Sequence, residues 1–308
     1  MILHHTYIGV DVSKAHVDIF DPRTGKSLRL ANTQPVLAGF AAALSPDTIV
    51  VLEATGVYDA ALRMALDAAA IGCVRVNPSR ARDFARASGQ LAKTDRLDAA
   101  MLARMGSALR LEPDAPSDPS RLRLAALVRR RDQLVAIRAC EANHGETAHP
   151  QLAQTISDHI DWLDQKIVEI EHMIAQQIKA DQALEADNVL LRSAPGIGPV
   201  AATTLLALLP ELGKISNKAV AALCGLAPLN RDSGTWRGTR RIGQGRKRIR
   251  QALYMAALSA ARCNQRFRQA YQALRERGKP AKLALIAIAR KLLTTLNAMA
   301  RNRTPFTQ

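Results

Sequence analysis

Cysteine is sparse in this chain. Cys73, Cys140, Cys224 and Cys263 are the only four in 308 residues, widely separated and with no C-x-x-C pair, so neither a disulfide framework nor a thiolate zinc site is expected. Aromatic residues amount to 4%, yet 48% hydrophobic and 23% charged residues are the balance of an ordinary globular protein, which excludes disordered and collagen-like classes. No G-x-x-x-x-G-K-[ST] phosphate loop occurs, and no G-x-S-x-G elbow; this removes Walker-type nucleotide hydrolysis and disfavours a Ser-His-Asp hydrolase. The seven histidines, among them His16 after the first turn, show no ligand spacing. The N-terminus MILHHTYIGVDVSK lacks a basic region followed by an apolar stretch, and no apolar run approaches the roughly 20 residues that span a bilayer. A soluble cytoplasmic protein with no membrane partner is expected. Two or three domains are expected as well, because 308 residues exceed what one core usually organises.

Acidic residues are nearly missing from the C-terminal part. Residues 190–308 hold 22 basic and 3 acidic side chains, whereas residues 1–189 hold 21 and 24, so the net charge of +16 belongs wholly to the later segment. Segregation of this kind points to a polyanion partner, since clustered lysine and arginine neutralise phosphates and release counterions. An anionic membrane surface is the weaker alternative, because no long basic amphipathic helix with aromatic anchors is visible.

The first 110 residues alternate between strand and helix patterns. HTYIGVDVS and AHVDIFD read as a hairpin, SLRLAN as a third strand, QPVLAGFAAAL as a helix, TIVVLEA as a buried strand, VYDAALRMALDAAA as a helix and CVRVN as a further strand, before two helical segments from Ser79 to Leu109. That order is the order of a ribonuclease-H fold. Prolines 113, 116 and 119 then mark a boundary. Residues 121–139 read as helix, Gly145 and Pro150 break the pattern, and Ile156, Ile160, Leu163, Ile167, Ile170 and Ile174 repeat as a heptad seam. The seam fits an antiparallel hairpin within one chain or a coiled coil between two, the second being favoured because such a stripe needs a partner. A third unit opens with LLRSAPGIGPVAATTLLALL, where Gly196 and Gly198 sit between apolar helical segments in the pattern of a helix-hairpin-helix whose loop amides face a phosphate. The division expected is 1–112, α/β; 113–187, linker and coiled-coil helices; and 188–308, basic and mostly α-helical.

Two constellations can carry chemistry. Asp11 ends the first strand, Glu53 ends a later strand, and Asp95 and Asp98 are three apart on one helix face. Four carboxylates converging there would suit Mg²⁺, whose ions activate a nucleophile and stabilise a leaving oxygen in phosphoryl transfer. Asp18, Asp59 and Asp83 read as solvated acids. The second constellation is RDSGTWRGTRRIGQGRKRIR, a glycine-opened loop with no strand or helix pattern before Lys247. Its Arg231, Arg237, Arg240, Arg241, Arg246, Lys247, Arg248 and Arg250 can grip phosphates. Ser233 at its mouth is on composition alone either a turn residue or a nucleophile towards phosphorus. Trp236 stacks on a base or braces the loop, and Tyr254, the other candidate nucleophile, falls in an apolar helix where packing is the expected role.

The segments GVDVSKAHVDIF, VVLEATGVYDAAL, NPSRARDFARASGQLAKTDRLDAAMLARMG, PGIGPVAATTLLALLPELG and LCGLAPLNRDSGTWRGTRRIGQGRKRIRQALYMAAL resemble, in order along the whole chain, the insertion-sequence-one-ten family of transposases and related site-specific DNA invertases. The resemblance implies an N-terminal RuvC-like domain whose DEDD set is Asp11, Glu53, Asp95 and Asp98, a coiled-coil middle, and a C-terminal transposase domain with Ser233 as nucleophile. It further implies a covalent phosphoserine link to DNA, carboxylate-bound Mg²⁺, and a non-coding bridge RNA that pairs with target and donor DNA. Homodimers or higher oligomers are implied too, with Ser233 of one subunit facing the carboxylates of another. The alternatives are a metal-only nuclease such as a junction resolvase, in which water attacks, and a non-enzymatic nucleic-acid-binding scaffold.

Overall fold

The computed structural model describes residues 5–54, 56, 58–89, 95–114, 118–229, 232–233, 236–237 and 241–307; at 95–97, 229, 232–233, 236–237 and 241 it describes the backbone alone. The chain forms two compact units, Met1–Ser117 and Asp118–Gln308.

In the first unit β1 (Thr6–Val12), β2 (His16–Asp21), β3 (Lys26–Ala31), β4 (Thr48–Glu53) and β5 (Gly72–Val76) form one mixed sheet in the order β3-β2-β1-β4-β5. The first three are an antiparallel meander, and β1, β4 and β5 run parallel. Strand β4, TIVVLE, buries its first five residues because it is central and covered on both faces. At the edge, β3 carries Lys26 and Arg29 into solvent, which blunts it against further pairing. Helices α1 (Gln34–Ala42) and α2 (Ala60–Ala68) cover one face, where Leu37, Leu62 and Leu66 meet Ile8, Val10, Val50 and Leu52. Helices α3 (Pro78–Ala87) and α4 (Asp95–Leu109) cover the other, where Ala81, Met101, Leu102 and Met105 meet Ile49, Val51, Val74 and Val76.

The contact of α4 with β1 is made at backbone distance. A Cβ on Gly9 would lie 1.8 Å from the Ala99 carbonyl oxygen and 2.6 Å from the Ala103 nitrogen. Only glycine fits there, and the helix can descend that far because Ala99 and Ala103 are small.

The second unit is almost entirely helical: α5 (Pro119–Thr147), a 3₁₀ turn at Pro150–Leu152, α6 (Ala153–Lys179), α7 (Gln182–Arg192), α8 (Pro199–Leu208), α9 (Asn217–Leu223), α10 (Lys247–Cys263), α11 (Gln265–Glu276) and α12 (Ala281–Asn302). Four two-residue strands, β6 (Pro228–Leu229), β7 (Asp232–Ser233), β8 (Trp236–Arg237) and β9 (Arg241–Ile242), lie between α9 and α10. Helix α5 runs on to Thr147, past the stretch 121–139 whose helical pattern is readable, with Gly145 inside its last turns. A single glycine near a helix end costs only about 1 kcal/mol, which the hairpin contacts offset. Helices α5 and α6 are an antiparallel pair: Arg131 bonds Glu171 at 2.9 Å, Arg138 bonds Asp164 at 2.9 Å, and Glu141 bonds His159 at 3.0 Å, partner numbers falling as the first rise. The heptad stripe therefore has a partner in its own chain. Leu163 and Ile167 close on Leu134, and Ile174 joins Leu124 and Val128 in the main core. The need of that stripe for a second copy, the ground for favouring a coiled coil between chains, falls away.

The main core gathers α5 to α12, and α12 runs through it with Ala284, Ile288, Leu292 and Leu296 buried. This helix is 22 residues long and apolar enough by composition to cross a membrane, and half of its most apolar window is buried inside the protein. KLALIAIARKLLTTLNAMA reads from sequence as a helix with one apolar face, and it is no unbroken apolar run because Arg290 and Lys291 interrupt the string. Replacing Gly9 by alanine is expected to overpack the α4–β1 contact by about 1–3 kcal/mol, so hydrogen exchange should show β1 and α4 amides exchanging faster than wild type while α10 and α12 stay unchanged. Wild-type exchange in β1 would refute the close contact.

Candidate active site and nucleic-acid interface

The register of the sheet brings two carboxylates together. Strands β1 and β4 are parallel with Val10 opposite Leu52, so Asp11 and Glu53 are the next positions on neighbouring strands, at the ends of both. Strand side chains alternate. Val10 and Leu52 enter the core under α1 and α2, and Asp11 and Glu53 thus take the opposite face, which α4 covers. Gly106 of α4 lies over Tyr7 and Ala99 over Gly9, so the helix runs against β1 and its first turn, with Asp95 and Asp98, approaches the end that carries Asp11. Asp11, Glu53 and Asp98 are each half-buried. Asp95 starts the helix, and its side chain lies outside the described residues. Among the described residues no group of three His, Cys, Asp or Glu is close enough to hold a metal; the donors that the register and α4 bring to this end are carboxylate oxygens, the type a hard divalent cation takes.

Neighbouring polar contacts hold these strand ends. Asn32 donates through Nδ2 to the Ser13 carbonyl at 2.8 Å and to the Tyr58 carbonyl at 3.0 Å, which ties the turn after Asp11 to the segment after Glu53. Asp59, expected to be solvated, is 3% exposed and accepts from Arg75 Nε at 2.7 Å. Its burial follows from its place at the start of α2, against β5. Asp18 pairs bidentately with Arg29 across β2 and β3, and Asp83 is exposed as expected. Asn32 and Asp59 escaped sequence reading because their partners are 19 to 26 and 16 residues away and no local motif marks them.

In the second unit, Ser233 lies on β7, paired through the backbone with Trp236 of β8, while Asp232 pairs with Arg237. Strands β6 and β9 pair outside them. The segment read as an open loop is therefore a nested β-ribbon at its described positions, and Ser233 is in its inner pair. Two-residue strands are too short to show alternation, so sequence offered nothing to read. At its base the Gly245 backbone meets that of Gly225, and the Arg246 amide bonds the Leu223 carbonyl at 2.9 Å.

The nominated basic residues differ in what holds them. Arg231 and Arg240 lie outside the described residues, and Arg237 and Arg241 are described by backbone only. Arg246 pairs with Glu211 at 2.6 Å and donates to the Leu208 carbonyl at 2.8 Å. Arg248 pairs with Asp132 at 2.8 Å, Arg250 donates to the Gln244 carbonyl at 2.6 Å, and Lys247 is exposed. Gly196, with φ +81°, faces α10, where a Cβ would lie 2.2 Å from the Ala256 carbonyl oxygen; Gly198 caps α8 in open space. Tyr254 is half-buried on α10. Burial pushes the thiols of Cys73 and Cys224 up to about 12, so neither is a thiolate nucleophile at neutral pH.

Carboxylates at adjoining strand ends, in a chain with a strongly basic helical unit, define a class: enzymes that act on the phosphodiesters of nucleic acids. Within that class the family is shown by similarity. Residues 188–272 match the transposase IS116/IS110/IS902 family, and residues 8–148 match a DEDD-type transposase domain. The pilin gene-inverting protein of Moraxella bovis is 30% identical over 319 residues, covering 98% of this chain and 97% of its own. That of Moraxella lacunata is 29% identical over 316 residues with the same coverage. An uncharacterized 42 kDa protein of insertion element IS900 from Mycobacterium paratuberculosis is 29% identical over 204 residues, 62% of this chain and half of the relative. The chain belongs to the IS110/IS116/IS902 transposase family. It is a DNA transposase or recombinase, acts on DNA, and has a DEDD-type domain that implies dependence on a divalent metal ion.

Replacing Asn32 by alanine removes two bonds that hold the carboxylate strand ends. The expected cost is about 1–2 kcal/mol of stability, together with a rise in the divalent-metal concentration needed for half-maximal DNA cleavage. An unchanged metal titration would show that Asn32 serves the fold alone.

Proposed function

We propose that this protein excises and inserts a mobile DNA element through a phosphoserine intermediate. The observation that carries the reading is the pairing register that sets Asp11 beside Glu53 under the first turn of α4, in a chain whose second unit bears Ser233 on a β-ribbon. The strand order β3-β2-β1-β4-β5 supports a RuvC-like first domain. Functionally the chain divides into residues 1–112 with the DEDD set, 113–187 as a helical arm, and 188–308 with the nucleophile.

Asp11, Glu53, Asp95 and Asp98 would hold Mg²⁺, which when bound offsets the negative charge of the scissile phosphate. The Ser233 hydroxyl oxygen attacks phosphorus, the bond to the 3′ oxygen breaks, the serine proton passes to solvent or a nearby base, and the departing 3′ oxygen takes up a proton. Phosphodiester energy is retained in the serine ester, so a second 3′ hydroxyl attacks it and rejoins DNA without ATP. Arg231, Arg237, Arg240, Arg241 and Lys247 grip the phosphates. Arg246 and Arg250 act from their ion pair and carbonyl bonds as braces at the base of the ribbon, and Arg248 ties α10 to α5 through Asp132. The loop between α7 and α8 acts as a helix-hairpin-helix, with the α8 N-terminus at Gly198 turned to a backbone phosphate.

A bridge RNA reads target and donor sequences by base pairing, consistent with a basic surface suited to backbones. The working form is a homodimer or higher oligomer. Trp162 and Met173, exposed by about half and eleven residues apart on one line of α6, supply apolar surface for it.

Purified protein, Mg²⁺, element-end DNA and RNA transcribed from the flanking non-coding sequence, resolved on a denaturing gel, test the reading. Wild type is expected to yield a slow protein–DNA adduct, absent in Ser233→Ala, with cleavage falling about 10³-fold or more in Ser233→Ala and in Asp11→Ala. Free nicked DNA from both wild type and Ser233→Ala would sink the serine mechanism and leave a metal-only nuclease. Cleavage that survives Asp11→Ala would remove the carboxylates from the chemistry.

A further inference from the structure

Helix α10 starts without a local cap. Arg246 occupies its N-cap position and makes no side-chain bond to the first turn, and no acidic residue lies in that turn. Arg246, Lys247 and Arg248 instead put three cations at the positive end of the helix dipole, the end that favours anions. Local chemistry does not fix where this helix begins.

Contacts from elsewhere in the second unit fix it. The Arg246 guanidinium meets Glu211, in the segment between α8 and α9, through two bonds of 2.6 Å, and donates to the Leu208 carbonyl at 2.8 Å. The Arg248 guanidinium pairs with Asp132 of α5, its Nη2 donating at 2.8 Å. Each of these four side chains is between 27% and 37% exposed, so salt screens the pairs less than it would on an open surface. The bond from the Arg246 amide to the Leu223 carbonyl and the close backbone contact of Gly245 with Gly225 hold the same point.

The ribbon runs directly into that point, since β9 ends at Ile242, four residues before Arg246. Strands β6 to β9 are two residues long each, and so short a ladder cannot keep its own place in water. Ser233 on β7 therefore stands where the base of the ribbon puts it. That base is set by two carboxylates, one from α5 and one from the segment after α8.

We infer that Asp132 and Glu211 are positioning residues for Ser233. Each holds an arginine at the start of α10 and through it sets the place of the nucleophile, and Asp132 makes that place depend on the helical arm. The inference rests on Ser233 as the nucleophile and goes beyond that reading by naming what holds the serine.

Single-turnover adduct formation by the full chain, with Mg²⁺, element-end DNA and RNA transcribed from the flanking sequence, tests it. The variants are Asp132→Asn and Glu211→Gln, which keep the side-chain shape and remove the charge. In each, the rate constant at saturating DNA is expected to fall about 10- to 100-fold, as a displacement on the order of 1 Å can cost about 10²-fold. The half-saturating DNA concentration should stay the same or drop, because an arginine released from its acid adds positive charge. A merely structural role would reduce the amplitude, which counts folded molecules, and spare the rate constant. A rate constant left as in wild type, with or without a smaller amplitude or a raised half-saturating concentration, overturns the inference for that residue.

A second readout needs no chemistry. The two tryptophans of the chain are Trp162 and Trp236, so in a Trp162→Phe background the fluorescence anisotropy of Trp236 reports the order of the ribbon. Should wild type give no serine adduct, the serine mechanism fails and anisotropy alone judges the two acids: a fall in Asp132→Asn and Glu211→Gln upholds their hold on the ribbon, and wild-type anisotropy overturns it.

Discussion

The first unit depends on one close approach, that of the α4 backbone to β1 at Gly9. With no side chain between them, helix and sheet come near enough for Met101, Leu102 and Met105 to fill the space above β4 and β5. The same approach directs the first turn of α4 towards the end of β1. A wider separation, as any Cβ at position 9 would impose, would draw Asp98 away from the strand ends where Asp11 and Glu53 stand. Packing and site geometry are thus one constraint, and Gly9 expresses it.

In the second unit the corresponding constraint is how few carboxylates there are. Three acids serve residues 190–308, and of these Glu211 is taken by Arg246; Asp132 and Asp187, from earlier in the chain, take Arg248, Arg121 and Arg303. These pairs brace α5, the α7 face and the base of the ribbon. Among the described residues of 190–308 no other cation is paired with a carboxylate, so the few acids sort the arginines held in ion pairs from the rest. Half-exposed pairs of this kind add little stability each; their weight here is in sorting structural arginines from available ones.

Much of the first unit was legible beforehand. Its strands are β-branched runs bounded by turns, its helices show three- and four-residue spacing, and the five-stranded mixed sheet follows from that order. Asp11 and Glu53 were legible as strand-end acids because strand ends are local properties. Asn32 and Asp59 were not, since their roles arise from bonds to segments distant in sequence. The ribbon around Ser233 is not legible because its strands are two residues long, and the end of α5 is not because Gly145, a breaker in the string, is tolerated inside its last turns.

The sequence by itself determined the family, the segregation of charge and the order of strands and helices in the first unit, and it nominated the acids and the serine, all of which reside in local pattern and composition. Only the tertiary structure decided that the heptad stripe of α6 pairs with α5 of the same chain, that Asp59 is buried against Arg75, that Arg246 and Arg248 are held by acids, and that the cations of α11 are not. Those outcomes turn on which distant side chains meet, and pairing across dozens of residues leaves no periodicity in a string.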